Sequence, residues 1–187
     1  MRIRRMVQIA TIISMRAIVD VCYRAGRATA ACIVFSHWKD REPASVSWHI
    51  FPAAAPYRAG RFYQRELPCI LAVLRKAGCE FETIVIDGYV HLEEKVGKGL
   101  GVQLYESLVY DPVIIGVAKS PLIIAKDCVP IYRGWSRRPL FISSLGCPVQ
   151  VAARHIEAMH GHYRIPTLLR LADQLARQEE APGLPDT

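Results

Sequence analysis

The chain has 187 residues, of which 51% are hydrophobic and 22% charged, and its formal net charge is +7. This length suits one domain with its own hydrophobic core, and the apolar content excludes an intrinsically disordered protein. The 12 glycines and 12 prolines follow no period, which excludes a collagen-like or linker protein.

The charge and the cysteines suggest the kind of partner and the compartment. The surplus of 24 lysines and arginines over 17 acidic residues favours an anionic partner, nucleic acid above all. The six cysteines are scattered and form no Cys-x-x-Cys pair, so they indicate neither a zinc site nor a disulfide framework. We therefore expect a cytoplasmic monomer with no membrane partner.

Residues 1–15 have basic residues followed by an apolar run, which is the order found in a signal peptide. Polar residues interrupt the run, Arg16 ends it, no small-x-small cleavage site follows, and it is too short to span a bilayer. We interpret residues 1–15 as an N-terminal leader or a mis-assigned start. Residues 16–180 then form the folded domain, and residues 181–187 a disordered tail.

The pattern after residue 15 predicts three strands in an antiparallel meander and then a helix. The strands, at residues 17–23, 28–35 and 45–51, are β-branched or alternate apolar with polar residues, and a glycine turn joins the first two. The helix covers residues 62–77, with leucines at helical spacing, and Gly78 closes it.

The second half of the chain predicts strands that alternate with helices. Nearly continuous apolar runs at residues 83–87 and 112–119 are typical of buried parallel strands. The remaining predicted elements are helix 100–109, short strands at 123–125 and 139–143, and helices 148–159 and 167–180. This order predicts an α/β fold with a ribonuclease H-like mixed sheet, an antiparallel meander plus parallel strands, flanked by helices.

Three acidic residues occupy positions where the backbone would hold them still: Asp20 in the first strand, Glu66 on the helix and Asp87 at the end of the central strand. Carboxylates that converge in a partly buried site can share a divalent cation with oxygen ligands, Mg²⁺ or Mn²⁺, which would support phosphodiester hydrolysis. Lys119 ends the neighbouring strand and would face the same edge. Two other interpretations stay open: Asp20 could pair with a surface arginine, and Lys119 could simply extend into solvent.

Four segments of the chain contain these residues, and a fifth segment lies near the C-terminus. They are Ala17-Ile-Val-Asp20-Val-Cys-Tyr23; Pro56-Tyr57-Arg-Ala-Gly60 with Phe62-Tyr-Gln-Arg65-Glu66; Ile84-Val-Ile-Asp87-Gly88; Ile115-Gly-Val-Ala-Lys119-Ser120; and Tyr163-Arg-Ile-Pro166 with Arg170-Leu-Ala-Asp173. In this order and with these local spacings, the segments resemble the motifs of the endonuclease V family, from about residue 16 to residue 177.

The resemblance implies a metal-dependent endonuclease of DNA repair. Such an enzyme acts on DNA or RNA that contains deaminated bases, chiefly inosine, and cuts one phosphodiester beyond the lesion on its 3′ side. By position, the metal ligands would be Asp20, Asp87, Glu66 and Asp173, with Mg²⁺ or Mn²⁺ as cofactor. The implied catalytic residues are Asp20, Glu66, Asp87 and Lys119.

The resemblance also implies contacts with the nucleic acid. Tyr57 and Arg58 would belong to a wedge that fills the gap left by the flipped base, and Gly88 would let the pocket approach that base closely. His91 matches the family histidine only in part. The chain departs from the family at Arg58 and Ala59, which replace Ile-Pro, and it lacks the basic loop after Asp87 and the usual Pro-Gly-His/Asn-Arg loop at residues 142–148.

Turn arginines provide a second route to nucleic acid, because guanidinium groups can follow a line of phosphates. Those in predicted turns are Arg24, Arg27, Arg58, Arg61, Arg133, Arg137 and Arg138. Two alternative functions stay open. One is a catalytically weak nucleic-acid-binding relative of the same fold. The other is an α/β protein for a small phosphorylated ligand, which would leave the three acidic residues unexplained.

Overall fold

The computed structural model describes residues 14–52 and 62–178, with Phe62 described by its backbone only. The predicted wedge residues Tyr57 and Arg58 lie outside the described residues. So do the predicted tail at 181–187 and all of the predicted leader except Ser14 and Met15.

The described residues form seven strands and four helices. They are β1 (Arg16–Arg24), β2 (Arg27–Phe35), β3 (Ser45–Phe51), α1 (Phe62–Ala77), β4 (Thr83–Asp87), α2 (Leu100–Glu106), β5 (Val113–Ala118), β6 (Cys128–Ile131), β7 (Leu140–Leu145), α3 (Val149–Ala158) and α4 (Thr167–Ala176).

The strands form one mixed sheet in the order β3-β2-β1-β4-β5-β7-β6. The first three strands are the antiparallel meander, β4 pairs in parallel with β1 and with β5, and the last two strands are antiparallel to their neighbours. The ribonuclease H-like mixed sheet is therefore confirmed. Antiparallel neighbours can follow each other through short turns, whereas the parallel pairs need the helical crossovers α1 and α2.

Helices cover both faces of the sheet because side chains alternate along each buried strand. On one face, residues such as Val19 and Ile86 pack against α1 and α2. On the other face, residues such as Ile18 and Val85 pack against α3 and α4. The strand periodicity thus divides the core into two layers and fixes which helix each strand residue meets.

One predicted strand is wrong. Residues 123–125 form no strand, and only Ala125 makes an isolated bridge, to Leu92. The sheet instead ends at β6, a strand that contains Pro130 and that the sequence pattern did not predict. As the outermost strand, β6 pairs only with β7, and an edge strand tolerates a proline because one side needs no N–H donor.

The strands β1, β4 and β5 run in the same direction, so their C-terminal ends meet at one edge of the sheet, which we call the carboxyl edge. Residues 132–139, which join β6 to β7, return at the same edge, because Ala118 at the end of β5 pairs with Phe141 near the start of β7. Among the described residues, the structure contains no helix with the length and apolar character that a bilayer span requires.

Candidate active site

Three aspartates from three different elements meet at the carboxyl edge: Asp20 of β1, Asp87 of β4 and Asp173 of α4. One carboxylate oxygen of each lies within 4.8 Å of the others. The strand alternation explains the meeting, since Asp20 follows Ile18 by two residues and Asp87 follows Val85 by two. Both side chains therefore project from the face against which α4 packs.

Lys119 forms ion pairs with two of these carboxylates. Its ammonium Nζ lies 2.6 Å from Oδ2 of Asp87 and 3.2 Å from Oδ1 of Asp173. Burial lowers the pKa of Lys119, but the charge of Asp87 and the hydrogen bonds outweigh burial, so the pKa lies above its ordinary value. The amine is thus charged and its side chain is 38% exposed, which contradicts the interpretation of a lysine that merely extends into solvent.

Asp20 carries the least compensated charge of the three aspartates. Burial, followed by repulsion from Asp87, raises the pKa of Asp20 to about 6, although the charge of Lys119 acts in the opposite direction. No described residue forms an ion pair with Asp20 in the structure. The alternative of a simple surface pair between Asp20 and an arginine is therefore not supported by the described residues.

Glu66 belongs to the helical layer on the face of the sheet opposite to α4. It lies on α1, is only 6% exposed, and its carboxylate is not part of the aspartate cluster. Burial, together with the charges of Asp20 and Asp87, raises its pKa to about 9. Its neighbour Arg65 lies over the ring of Tyr23 on β1, 3.9 Å from the ring centroid, and this contact fixes α1 beside the strand that carries Asp20.

Arg177 is a residue at the site that the sequence analysis missed. Its Nε and one terminal nitrogen lie 2.7 Å and 3.0 Å from the two carboxylate oxygens of Asp173. These hydrogen bonds, and after them those from Lys119, lower the pKa of Asp173 despite its partial burial. The i,i+4 spacing of an aspartate and an arginine on one helix was the available signal.

The loop after β4 crosses close over β5. A Cβ at Gly116 would lie 2.5 Å from the carbonyl oxygen of Gly88 and 2.6 Å from Oγ of Ser143, which accepts a hydrogen bond from the backbone N–H of Val90. Gly88 itself has φ of +141°, a conformation that favours glycine. The backbone conformation at residue 88 therefore favours glycine, in addition to the predicted close approach to a base.

His91 points to a different place from the aspartates. Its Nε2 donates a hydrogen bond to the carbonyl oxygen of Ser144 at 3.0 Å. Ser144 pairs with Ile115, three residues before the end of β5, which is about 10 Å back from the carboxyl edge at the usual rise per strand residue. A contact between His91 and nucleic acid stays a prediction.

Arg133 does not follow phosphates, and that prediction is wrong. The side chain is buried, and its guanidinium donates to backbone carbonyl oxygens at the end of α3 and in the segment between α3 and α4. Its acceptors are Glu157, Met159, Gly161, Tyr163 and Arg164, at 2.6 to 3.3 Å. Arg164 in turn donates to the carbonyl oxygens of Lys119 and Pro139. The two arginines connect the turn before β7, the segment before α4 and the end of β5.

The donor set suits a hard divalent cation. Three carboxylate oxygens lie close together, and a fourth carboxylate, that of Glu66, is near enough for its charge to interact with two of them. Asp20 forms no ion pair with a described residue, so no charged side chain in that part of the protein competes with a metal ion for its oxygens. Carboxylate oxygens are the ligands that Mg²⁺ and Mn²⁺ prefer. The residues present therefore fit such an ion.

Known proteins are similar to this chain in sequence and in fold. The family profile of endonuclease V matches residues 2–174. Endonuclease V of Alkalilimnicola ehrlichii is 29% identical over 183 residues, covering 84% of this chain and 77% of that protein. The crystal structure of endonuclease V from Streptomyces avermitilis has a TM-score of 0.68 at 26% identity, covering 88% of this chain and 80% of that one.

A further structure supports the fold. Endonuclease V of Ciona intestinalis, solved as a D234N variant with a 23mer DNA containing an inosine, has a TM-score of 0.72 at 18% identity, covering 90% of this chain and 86% of that one. The profile match extends over nearly the whole chain and includes all four acidic positions of the site. The chain therefore belongs to the endonuclease V family, a family of nucleases.

Proposed function

We propose that this protein is a metal-dependent endonuclease that hydrolyses the phosphodiester on the 3′ side of a deaminated base, chiefly inosine, in DNA repair. Its substrate is inosine-containing DNA or RNA, and it acts as a monomer in the cytoplasm. The observation that carries the proposal is the meeting of Asp20, Asp87 and Asp173 within 4.8 Å beside a charged lysine. The inosine-containing DNA bound by the Ciona intestinalis relative supports the choice of substrate.

Asp20, Asp87 and Asp173 would hold the Mg²⁺ or Mn²⁺ ion, with Glu66 acting from the opposite layer. When bound, such an ion lowers the pKa of water and stabilises the leaving oxygen of a phosphodiester. Arg177 keeps Asp173 ionised and therefore ready to bind a cation. The short bond of Lys119 to Asp87 holds that carboxylate in place at the end of β4.

Lys119 has a second task at the phosphate. Its ammonium is partly exposed at the carboxyl edge and keeps its charge, so it offers positive potential where an anionic strand would enter. The net charge of +7 attracts that strand over a longer range. Tyr57 and Arg58 would fill the gap beside the flipped base, and Gly88 would line its pocket.

A cleavage assay tests the proposal. A labelled oligonucleotide with one inosine is incubated with Mg²⁺ and the native protein, Asp87→Asn, or the control Asp127→Asn, which changes an exposed aspartate at the start of β6, away from the carboxyl edge. We expect cutting 3′ to inosine by the native protein and the control, and at least a 100-fold loss in Asp87→Asn, because a carboxylate ligand is removed.

Two results would count against the proposal. Cutting that persists in Asp87→Asn would reject the assigned site. Binding of the oligonucleotide without any cutting by the native protein would favour the alternative of a catalytically weak nucleic-acid-binding relative.

A further inference from the structure

Trp135 is fully exposed on the segment that joins β6 to β7. Tyr132 is also exposed on the same surface, and with His162 these residues line a shallow hollow of about 460 Å³. The two exposed aromatic residues on one hollow form an apolar patch, and such a patch can serve as a contact site for a partner.

This exposed ring stands on a rigid base. Arg133, two residues before Trp135, is anchored by its bonds to backbone carbonyl oxygens. Gly134 has φ of +58°, and a Cβ there would lie 2.3 Å from the carbonyl oxygen of His162. The backbone at Gly134 therefore packs against the segment that precedes α4. The backbone at Trp135 is thus held in place, so binding a ligand there requires little further ordering of the chain.

The ring also lies on the same side of the molecule as the aspartates. Residues 132–139 return at the carboxyl edge, and Arg164 bonds both Pro139 and Lys119. The turn lies two to three strands from β4, which is on the order of 10–15 Å at the usual strand spacing. That distance corresponds to about three or four nucleotides of a strand that crosses the aspartate site.

The charge beside Trp135 fits a phosphate backbone. Arg137 and Arg138 are exposed, and among the described residues neither guanidinium pairs with a carboxylate. Arg138 also lies close enough to Arg164 that its charge, after burial, lowers the pKa of Arg164. Positive charge is thus concentrated on this side of Trp135, where neither arginine has an ion-pair partner in the described part of the chain. Glu157 lines the hollow, so phosphates are expected on the arginine side of the ring.

We propose that Trp135 is a stacking platform for an unpaired nucleobase of the substrate, a few nucleotides from the cleaved bond, with Arg137 and Arg138 binding the adjoining phosphates. The inference rests on the proposed function, and it adds that the enzyme prefers substrates whose flank on this side is single-stranded. A flat aromatic ring stacks on any base, whereas a base inside a duplex has both faces occupied.

Binding measured without cleavage tests the platform. Fluorescence anisotropy in EDTA gives the Kd of a labelled inosine-containing oligonucleotide, single-stranded or duplex, for the native protein, Trp135→Ala and Trp135→Phe. The control is Val109→Ala, which removes a fully exposed apolar side chain on the segment before β5, at the opposite edge of the sheet.

We expect Trp135→Ala to raise the Kd for the single strand about tenfold, which equals about 1.4 kcal/mol, and the Kd for the duplex much less, because the loss of one stacked base has an effect of this size. Trp135→Phe keeps most of the affinity, and Val109→Ala changes nothing. The double change of Arg137 and Arg138 to alanine lowers the salt slope of binding by about 0.7 for each lost phosphate contact.

Equal single-strand affinity of the native protein and Trp135→Ala would overturn the platform, as would an equal loss in Trp135→Phe. A concentration-dependent self-association that Trp135→Ala abolishes, without any change in Kd, would instead identify a protein contact and also reject the proposal. These outcomes do not depend on cleavage. If the protein proves unable to cut inosine-containing strands, the proposed function fails, while the Kd comparison still decides the role of Trp135.

Discussion

Replacing Glu66 with glutamine should remove most of the pH dependence of stability that the metal-free protein shows above the pKa of Asp20. The folded protein retains the proton of Glu66 up to about pH 9, whereas the unfolded chain loses it near the ordinary value of 4.5. Between these values, unfolding releases a proton, so the free energy of unfolding falls as the pH rises. Burial of a side chain that is only 6% exposed is the main cause.

The size of the effect follows from the proton count. One proton contributes about 1.4 kcal/mol per pH unit, so the native protein should lose at most about 3 kcal/mol between pH 6.5 and pH 8.5. This interval isolates Glu66 from Asp20, whose pKa of about 6 lies below it. Groups that are the same in both proteins contribute equally to both curves, so the comparison with Glu66→Gln subtracts their contribution.

Urea denaturation in EDTA at several pH values measures the effect. The difference in free energy of unfolding between Glu66→Gln and the native protein should grow as the pH rises. The control Glu94→Gln, which changes an exposed glutamate, should run parallel to the native protein. Parallel curves for Glu66→Gln and the native protein would refute the reasoning, because Glu66 would then ionise as it does in water.

Three other changes test the surroundings of the site. Gly116→Ala should destabilise the protein by about 1–3 kcal/mol in urea denaturation, because its Cβ meets the Gly88 carbonyl oxygen and Ser143; an unchanged midpoint would contradict the close crossing. Arg133→Ala should lower the free energy of unfolding by at least about 3 kcal/mol in the same measurement, since several charge-assisted hydrogen bonds are lost. Arg137→Ala should change it little. Arg177→Ala should raise the pKa of Asp173, which NMR of the carboxyl carbons measures. The free energy of unfolding should fall by at most about 1 kcal/mol, because Arg177 is mostly exposed. A constant pKa of Asp173 would show that the pair does not form in solution.

Much of the fold was readable because strands and helices here follow simple periodicities. The bounds predicted for β3, α1 and β4 agree with the structure, since alternation, helical spacing and terminal glycines signal them directly. The prediction failed at β6, where Pro130 is acceptable only because the strand lies at the edge of the sheet. A position in the sheet order is a tertiary property that local patterns do not contain.

The sequence by itself determined that Asp20, Asp87 and Lys119 lie on parallel or adjacent buried strands whose ends share one edge. The family resemblance already grouped Asp173 with Asp20, Asp87 and Glu66, but only the tertiary structure decided that the three aspartates meet while Glu66 remains in the other helical layer. It also decided that Arg133 is buried whereas Trp135 is exposed, although both lie in one polar turn. The physical reason is that strand alternation is local, whereas the packing of a helix or a turn against a sheet depends on side chains far away along the chain.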